Sequence, residues 1–509
     1  MAARRTIRMR AGIVAAAFSG RRGFLVAGLV LVLAVLAAGC NPQRALARKR
    51  QKNVEKGLMR AVYLKGLQPE KLGLSARMDF YRVPGLSVCA FDKNAVEWTK
   101  VYGEADAQTH RPLAGDTMFQ AGGLSRMMTA AAVFRLAEKG TIDLDEDVRP
   151  RLKSWSFPAD IVPPRGNTLT LRMLLTHSAG LSEQLLEGYG PDESLPTLPQ
   201  VLSGLKPAKN APVWSPPRLG ANRRVWISEG GYALIQQFLE DATGLSFDVL
   251  MKQEILDPLG LKNTRLAPEL PEPLAARAAV GHSREGAALP GRWRRYPETA
   301  AKGLWTTASD YAIFLCELMR EAMGESSRLL SPAAARSMLA PQIENFSFGF
   351  LADGKGDDIN FHAQGKTAGF AASFVVYPAK GQGIVLLANS DNGDILEEEI
   401  LAACSAAYEW PHYKPVAKDV LRLSPDTYKE FVGRFEVNPA YALDVTWNDY
   451  YLVIRPTGQA STKFYAEGRT LFYSTDPYVR IQFYRDKSGA VSSLVLWQKD
   501  FELEAKKVR

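Results

Sequence analysis

The stretch Thr117 to Leu136, T-M-F-Q-A-G-G-L-S-R-M-M-T-A-A-A-V-F-R-L, holds the residues whose types and spacing bear most directly on chemistry. A serine nucleophile needs a base to take its proton. A lysine one helical turn away can serve if burial leaves it a neutral amine. Here the serine is Ser125, the residue three places on is Met128, and the nearby cation is Arg126. A guanidinium keeps its proton and cannot act as that base, so Ser125 reads as a solvated or helix-capping hydroxyl. A formal serine-x-x-lysine occurs at Ser203-Gly204-Leu205-Lys206. Pro207 follows and no apolar-faced helix does, so this short pattern reads as chance.

The elements that position these residues follow from periodicity. Met127, Ala131, Phe134 and Ala137 recur at helical spacing behind the Gly122-Gly123 entry, and Gly140 is a stop signal. Upstream, an amphipathic helix ends near Pro84, and an apolar strand and a second strand over Val96 to Val101 come next. Downstream, helices are expected at Ala233 to Asp241, Tyr311 to Met319 and Glu397 to Tyr408, and strands at Ser373 to Pro378 and Ile384 to Leu387. From Pro425 the period changes. Short strands alternate with turns at Leu443 to Trp447, Tyr451 to Arg455, Lys463 to Ala466, Leu471 to Ser474, Val479 to Arg485 and Val491 to Trp497, with a hairpin turn at Asp486-Lys487-Ser488-Gly489.

The Thr117 segment resembles the Phe-x-x-Gly-Ser-x-x-Lys run of the class C β-lactamase and penicillin-binding-protein-like serine hydrolases. Phe119 and Gly122 match; the serine position is Gly123 and the lysine position is Arg126. The run Leu174-Leu175-Thr176-His177-Ser178-Ala179-Gly180-Leu181 is similar to a structural turn of that family, which makes His177 a hydrogen-bonded structural residue. Aligned on Gly231-Tyr232, the family's tyrosine position is Ile227 and the third position of that motif is Glu229. Counting back from Gly369-Phe370 puts the family's Lys-Thr-Gly or His-x-Gly motif at Ala363-Gln364-Gly365. His362 is one place off, on the other face of a strand, and Lys366-Thr367-Ala368 lies three residues late. The resemblance implies an α/β (α+β) fold: a mixed sheet flanked by helices, an all-helical subdomain, and the old active site between them. The C-terminal part resembles the lipocalin-like antiparallel β-barrel appended to such hydrolases, with a filled core.

Gly123, Arg126, Ile227, Glu229, Ala363 and Gly365 are thus vestigial positions, and all three catalytic elements have lost their proton-handling group. The implied function is a catalytically inactive serine hydrolase homologue that binds a peptide, a cell-wall glycan fragment or a small amide or ester. One alternative is an active esterase, D-amino-acid peptidase or β-lactamase with a rearranged site, for which Ser125, Ser228, His362 and Lys366 are the candidates. Another is a structural envelope protein acting through its barrel. Arg126 and Glu229 are expected to pair across the cleft, since a permanent cation there is costly unless paired.

Of the net charge of +9, six arginines precede position 40 with no acid among them, leaving +3 for the remainder. That excludes a strong case for nucleic acid. Those arginines, the apolar run Phe24 to Ala38 and Leu36-Ala37-Ala38-Gly39-Cys40 resemble a bacterial lipoprotein signal. Cleavage before Cys40 would leave a lipidated residue anchoring the protein to a membrane of the cell envelope. Arg21-Arg22-Gly23-Phe24-Leu25 also resembles a twin-arginine signal, so export is expected by the Sec or twin-arginine route. The domains read as signal peptide 1–39, tether and N-terminal helix 40–75, hydrolase-like domain 76–409, linker 410–424 and barrel domain 425–509. Cys89, Cys316 and Cys404 sit in apolar surroundings without metal or disulfide spacing, and read as buried free thiols. No cofactor or metal is expected.

Overall fold

The computed structural model describes residues 42–158, 168–181, 187–214, 225, 227–499 and 501–508. The leader and Cys40 lie outside the described residues. A helix, Pro42–Lys56, begins the described chain, and its Glu55 accepts hydrogen bonds from Lys100 Nζ at 3.0 Å and Tyr102 Oη at 2.9 Å.

Twelve strands precede the barrel. They are β1 (Val62–Leu64), β2 (Gly85–Asp92), β3 (Ala95–Asp106), β4 (Arg111–Pro112), β5 (Phe119–Gln120), β6 (Arg265–Leu266), β7 (Leu304–Thr306), β8 (Leu351–Asp353), β9 (Asn360–Thr367), β10 (Phe370–Tyr377), β11 (Gln382–Ala388) and β12 (Val416–Lys418). A seven-stranded sheet runs in the order β4-β3-β2-β11-β10-β9-β8. Its ladders are all antiparallel, a more uniform sheet than the mixed one expected. Part of the reason is topological: tight hairpins join β2 to β3, β9 to β10 and β10 to β11, and a hairpin reverses strand direction. Strands β10 and β11 are buried along their whole length, and β2 nearly so. Helix Ala308–Met323 packs on β2, β3 and β11, and helix Gly393–Tyr408 packs on β10 and β11. Helices at Leu171–Leu175, Leu198–Ser203, Glu229–Thr243 and Phe247–Met251 form the helical part.

The central helix runs Ser125–Glu138 behind a 3-10 turn at Gly122–Leu124. Met127, Met128, Ala130, Ala131, Ala132 and Val133 are all fully buried, so this helix is enclosed on nearly every side by the main core. Gly140, at φ +70°, follows the Lys139 cap and ends it.

The stretch expected as a linker is tied down at several points. Trp410 is fully buried, stacks on Tyr408 and donates from Nε1 to Gln382 Oε1 at 3.1 Å. Strand β12 pairs in parallel with β1. Helix Pro425–Glu430 then leads into a closed barrel of eight strands, β13 (Gly433–Asn438) through β20 (Phe501–Lys507), two more strands than the periodicity marked. Each strand pairs with the next, and β13 with β20 closes the ring. The interior is filled by Phe431, Phe435, Phe472, Phe483 and their aliphatic neighbours. The ring centroids of Phe431 and Phe483 are 4.7 Å apart. Cys89, Cys316 and Cys404 are free and buried.

Candidate functional site

Three glycines let the entry of the central helix touch β9. Gly122 has φ +48°, and a Cβ on it would lie 2.7 Å from the Lys366 nitrogen. A Cβ on Gly365 would lie 1.9 Å from the Ala121 carbonyl oxygen and 2.9 Å from the Gly123 nitrogen. Gly123 differs. Its φ is outside the left-handed region, so the backbone admits any residue, but the space is occupied. A Cβ there would lie 2.7 Å from Nη2 of Arg126 and 2.9 Å from the Gln364 carbonyl oxygen. The guanidinium folds back one turn and fills the volume that a side chain at 123 would use.

Around this floor lies a cluster of charged side chains. Ser228 caps helix Glu229–Thr243, its hydroxyl accepting from the Gly231 nitrogen at 3.1 Å. The helix therefore starts at Glu229, four residues before the expected start, and Glu229 sits buried in its first turn. Glu229 Oε1 is 4.0 Å from Arg126 Nη2, too long for a hydrogen bond. The expected Arg126–Glu229 pair is thus a loose contact. The closer partner of Glu229 is Lys302, whose Nζ is 3.0 Å from Oε2. Lys302 is almost buried, and its ammonium lies 5.6 Å from the centre of the Tyr296 ring. Glu298 is fully enclosed and neither carboxyl oxygen has a hydrogen-bond partner. Burial above all, with Glu229 nearby, pushes its carboxyl up to about 8, so it is protonated at neutral pH. Ile227, at the position aligned with the family's tyrosine, is 45% exposed.

His177 is buried, and its Nδ1 accepts from the Ser228 nitrogen at 3.1 Å. Burial first, and the charge of Arg126 second, hold it well below the ordinary imidazole range. The neutral ring then carries its proton on Nε2, which has no partner.

The four fallback candidates do not meet. Ser125 is fully buried; its hydroxyl donates to the Gly122 carbonyl at 2.6 Å and accepts from the Leu304 nitrogen at 3.0 Å. Ser228 is committed to its helix cap. His362 Nε2 lies 2.9 Å from Asp353 Oδ2 on neighbouring β8. Lys366 is exposed and donates to Asp394 Oδ2 at 2.8 Å. Among the described residues none of the four hydrogen-bonds to another, so no nucleophile stands beside a base here. Ala363 packs against the main core on the same side of β9 as Gly365. Ser203 accepts from Trp155 Nε1 at 2.9 Å, and Gly204 in left-handed geometry ends its helix before Lys206. Among the described residues no group of three or more His, Cys, Asp or Glu side chains is placed to hold a metal ion.

A family model described as Beta-lactamase matches residues 74–406. The chain belongs to the Beta-lactamase family. Penicillin-binding protein 4* of Bacillus subtilis is 22% identical over 445 residues, covering 82% of this chain and 94% of that protein. Lovastatin esterase of Penicillium rubens is 25% identical over 294 residues, covering 52% of this chain and 70% of that one. Among solved structures, the octameric penicillin-binding protein homologue from Pyrococcus abyssi aligns with a TM-score of 0.56 at 19% identity, covering 85% of this chain and 98% of that one. A class C β-lactamase aligns with a TM-score of 0.51 at 21% identity, covering 65% and 93%. Both likenesses concern the fold. In this Beta-lactamase-family chain, Lys302 and Glu298 are the charged residues that sequence reading passed over. Both flank the short run Thr299-Ala300-Ala301, and a lysine between Ala301 and Gly303 is the signal that was available.

Proposed function

We propose that this chain is a non-hydrolysing member of the Beta-lactamase family, exported and lipid-anchored at Cys40, that holds a peptide, a cell-wall fragment or a small amide or ester in its cleft. The observation that carries the reading is the guanidinium of Arg126 lying where a side chain on residue 123 would sit. Acyl transfer through a serine needs a hydroxyl, a group to accept its proton and donors for the developing oxyanion. At this floor the first two are absent: Gly123 has no side chain, and arginine and isoleucine stand where a lysine and a tyrosine would handle protons. Ser125, the nearest hydroxyl along the chain, spends both its donor and an acceptor site on the backbone.

The reading is tested with the purified chain on nitrocefin and on p-nitrophenyl esters. The expected rate equals that of a heat-treated control. Turnover that disappears in Ser125→Ala or Ser228→Ala would favour an active hydrolase with a rearranged site. The anchor is tested separately, by mass spectrometry of the mature N-terminus, where a diacylglyceryl-modified Cys40 is expected. An unmodified Met1 terminus would refute it.

A further inference from the structure

We propose that helix Pro42–Lys56 lays a basic face on a bilayer carrying anionic phospholipid headgroups, so that the folded chain touches the membrane directly and not only through its lipid. The inference rests on the lipid-anchored reading for its placement and adds a partner for this helix. Its first support is the way the helix divides its residues. At 100° per residue, Ala47 and Val54 project from one side, and both are buried. Arg48, Lys49, Lys52 and Lys56 fall within an arc of about 100° on the opposite side, and all four are exposed. The single acid of the helix, Glu55, lies outside that arc and is engaged by Lys100 and Tyr102.

The second support is uncompensated charge. Arg48 and Lys52, and again Lys52 and Lys56, are like-charged neighbours four apart, and Lys49 and Lys52 are three apart. Such pairs weaken a helix rather than support it. Among the described residues, no acidic side chain stands within ion-pair distance of these four cations. The fold therefore makes no use of the stripe, whereas a surface of negative charge would relieve the repulsion along its whole length. The four ends form an open, convex row, which suits diffuse headgroup charge better than one small anion.

The third support is reach. Pro42 follows Cys40 by two residues, a chain length of at most about 7 Å. A lipid on Cys40 would thus hold the start of the helix within about one Debye length of the headgroups at physiological salt, roughly 8 Å. The stretch from Arg48 to Lys56 is about 12 Å long and can lie along such a surface. Basic residues that close to anionic lipid are attracted to it individually. Leu46, 44% exposed, borders the arc on the half of the helix nearer Cys40, where an apolar side chain can enter the headgroup boundary.

Vesicle co-sedimentation tests this with the chain from residue 40 onward carrying Cys40→Ser, so that no lipid is attached. The probes are vesicles of phosphatidylcholine alone and of a three-to-one mixture of phosphatidylcholine and phosphatidylglycerol. The protein should sediment with the mixed vesicles and not with the neutral ones, and added salt should release it. Lys49→Gln with Lys52→Gln should weaken binding by about fivefold per charge, roughly 25-fold together. Lys49→Arg with Lys52→Arg should retain it. Lys355→Gln with Lys487→Gln, two exposed lysines elsewhere on the chain, should leave it unchanged. Equal losses in the two glutamine pairs would trace the attraction to net charge and overturn the inference. Equal binding to both vesicle types overturns it too. Binding to neither would leave the face to an acidic protein partner and likewise overturns it. Such failures leave lipidation of Cys40 untouched, since mass spectrometry of the mature N-terminus reads that independently.

Discussion

A serine introduced at Gly123 would meet a guanidinium already in its place. Gly123→Ser should acquire no activity toward p-nitrophenyl esters and should destabilise the fold by about 1–3 kcal/mol through overpacking against Arg126. Thermal denaturation and the ester assay check both halves. The buried pair of the floor is Glu229–Lys302, with side chains 3% and 10% exposed. Lys302→Met should therefore cost on the order of 3 kcal/mol by stranding a buried carboxylate. Lys302→Met with Glu229→Leu should cost clearly less than the two single changes added, as read by urea denaturation. The sequence placed Arg126 and Glu229 near each other from family spacing, and they are near. It did not foresee that Lys302, some 70 residues further along the chain, would take the closer contact, because such a pairing depends on how separate elements pack.

At the scale of elements, the entry turn, the central helix and β9 act as one unit, locked by glycine contacts and by Ser125. Ser125→Ala would leave the Leu304 nitrogen without its acceptor in a fully buried place, at a cost of about 1–3 kcal/mol. An active-site role for Ser125 would instead predict little loss of stability. The central helix was legible because its apolar residues and its Gly-Gly entry are local signals. So was the β9–β10 hairpin, through Gly369-Phe370 before a run of apolar residues. The start of helix Glu229–Thr243 was not, because Ser228 marks it by a cap and Glu229, a charged residue, is buried inside the site. Barrel strands β13 and β20 were missed for a related reason. Only Phe435 on β13 and Ala505 on β20 are fully buried, so each carries a weak alternating pattern and is fixed by pairing with the other.

Over the whole molecule, the barrel is clasped to the hydrolase-like part. Arg77, 5% exposed, donates to both oxygens of Glu399 at 2.8 and 2.7 Å and to Asp476 of the barrel at 2.7 Å, with Tyr81 Oη also on Glu399. Arg60 reaches the same Asp476 at 2.8 Å. The stretch 410–424 reads as a linker, and its composition carries no trace of a clasp made by residues 77, 399 and 476. Limited proteolysis of the wild type should leave that stretch uncut, and Asp476→Ala should expose it. A second global property follows from two enclosed carboxyls. Glu298 and Glu397 are each pushed by burial from an ordinary 4.5 up to about 8. Glu298 faces Glu229 and Lys302, whereas Glu397 faces Lys499, Ser373, Asp394 and Lys366. With the folded values raised, the folded state binds more protons between those limits. The stabilisation is complete below about pH 4.5 and is lost as pH rises through about 8, at up to about 1.4 kcal/mol per pH unit for each group. Glu298→Gln should flatten the denaturation midpoint between pH 5 and 8 relative to wild type.

The central claim, that the cleft holds without cleaving, is tested most directly by intact-mass spectrometry of the full chain after prolonged incubation with a fluorophosphonate and, separately, with a penicillin. The mass should stay that of the untreated protein in both cases, because among the described residues Ser125, Ser228, His362 and Lys366 make no hydrogen bond to one another. A stoichiometric adduct mapped to any serine of the cleft, Ser125 or Ser228 above all, would contradict the account.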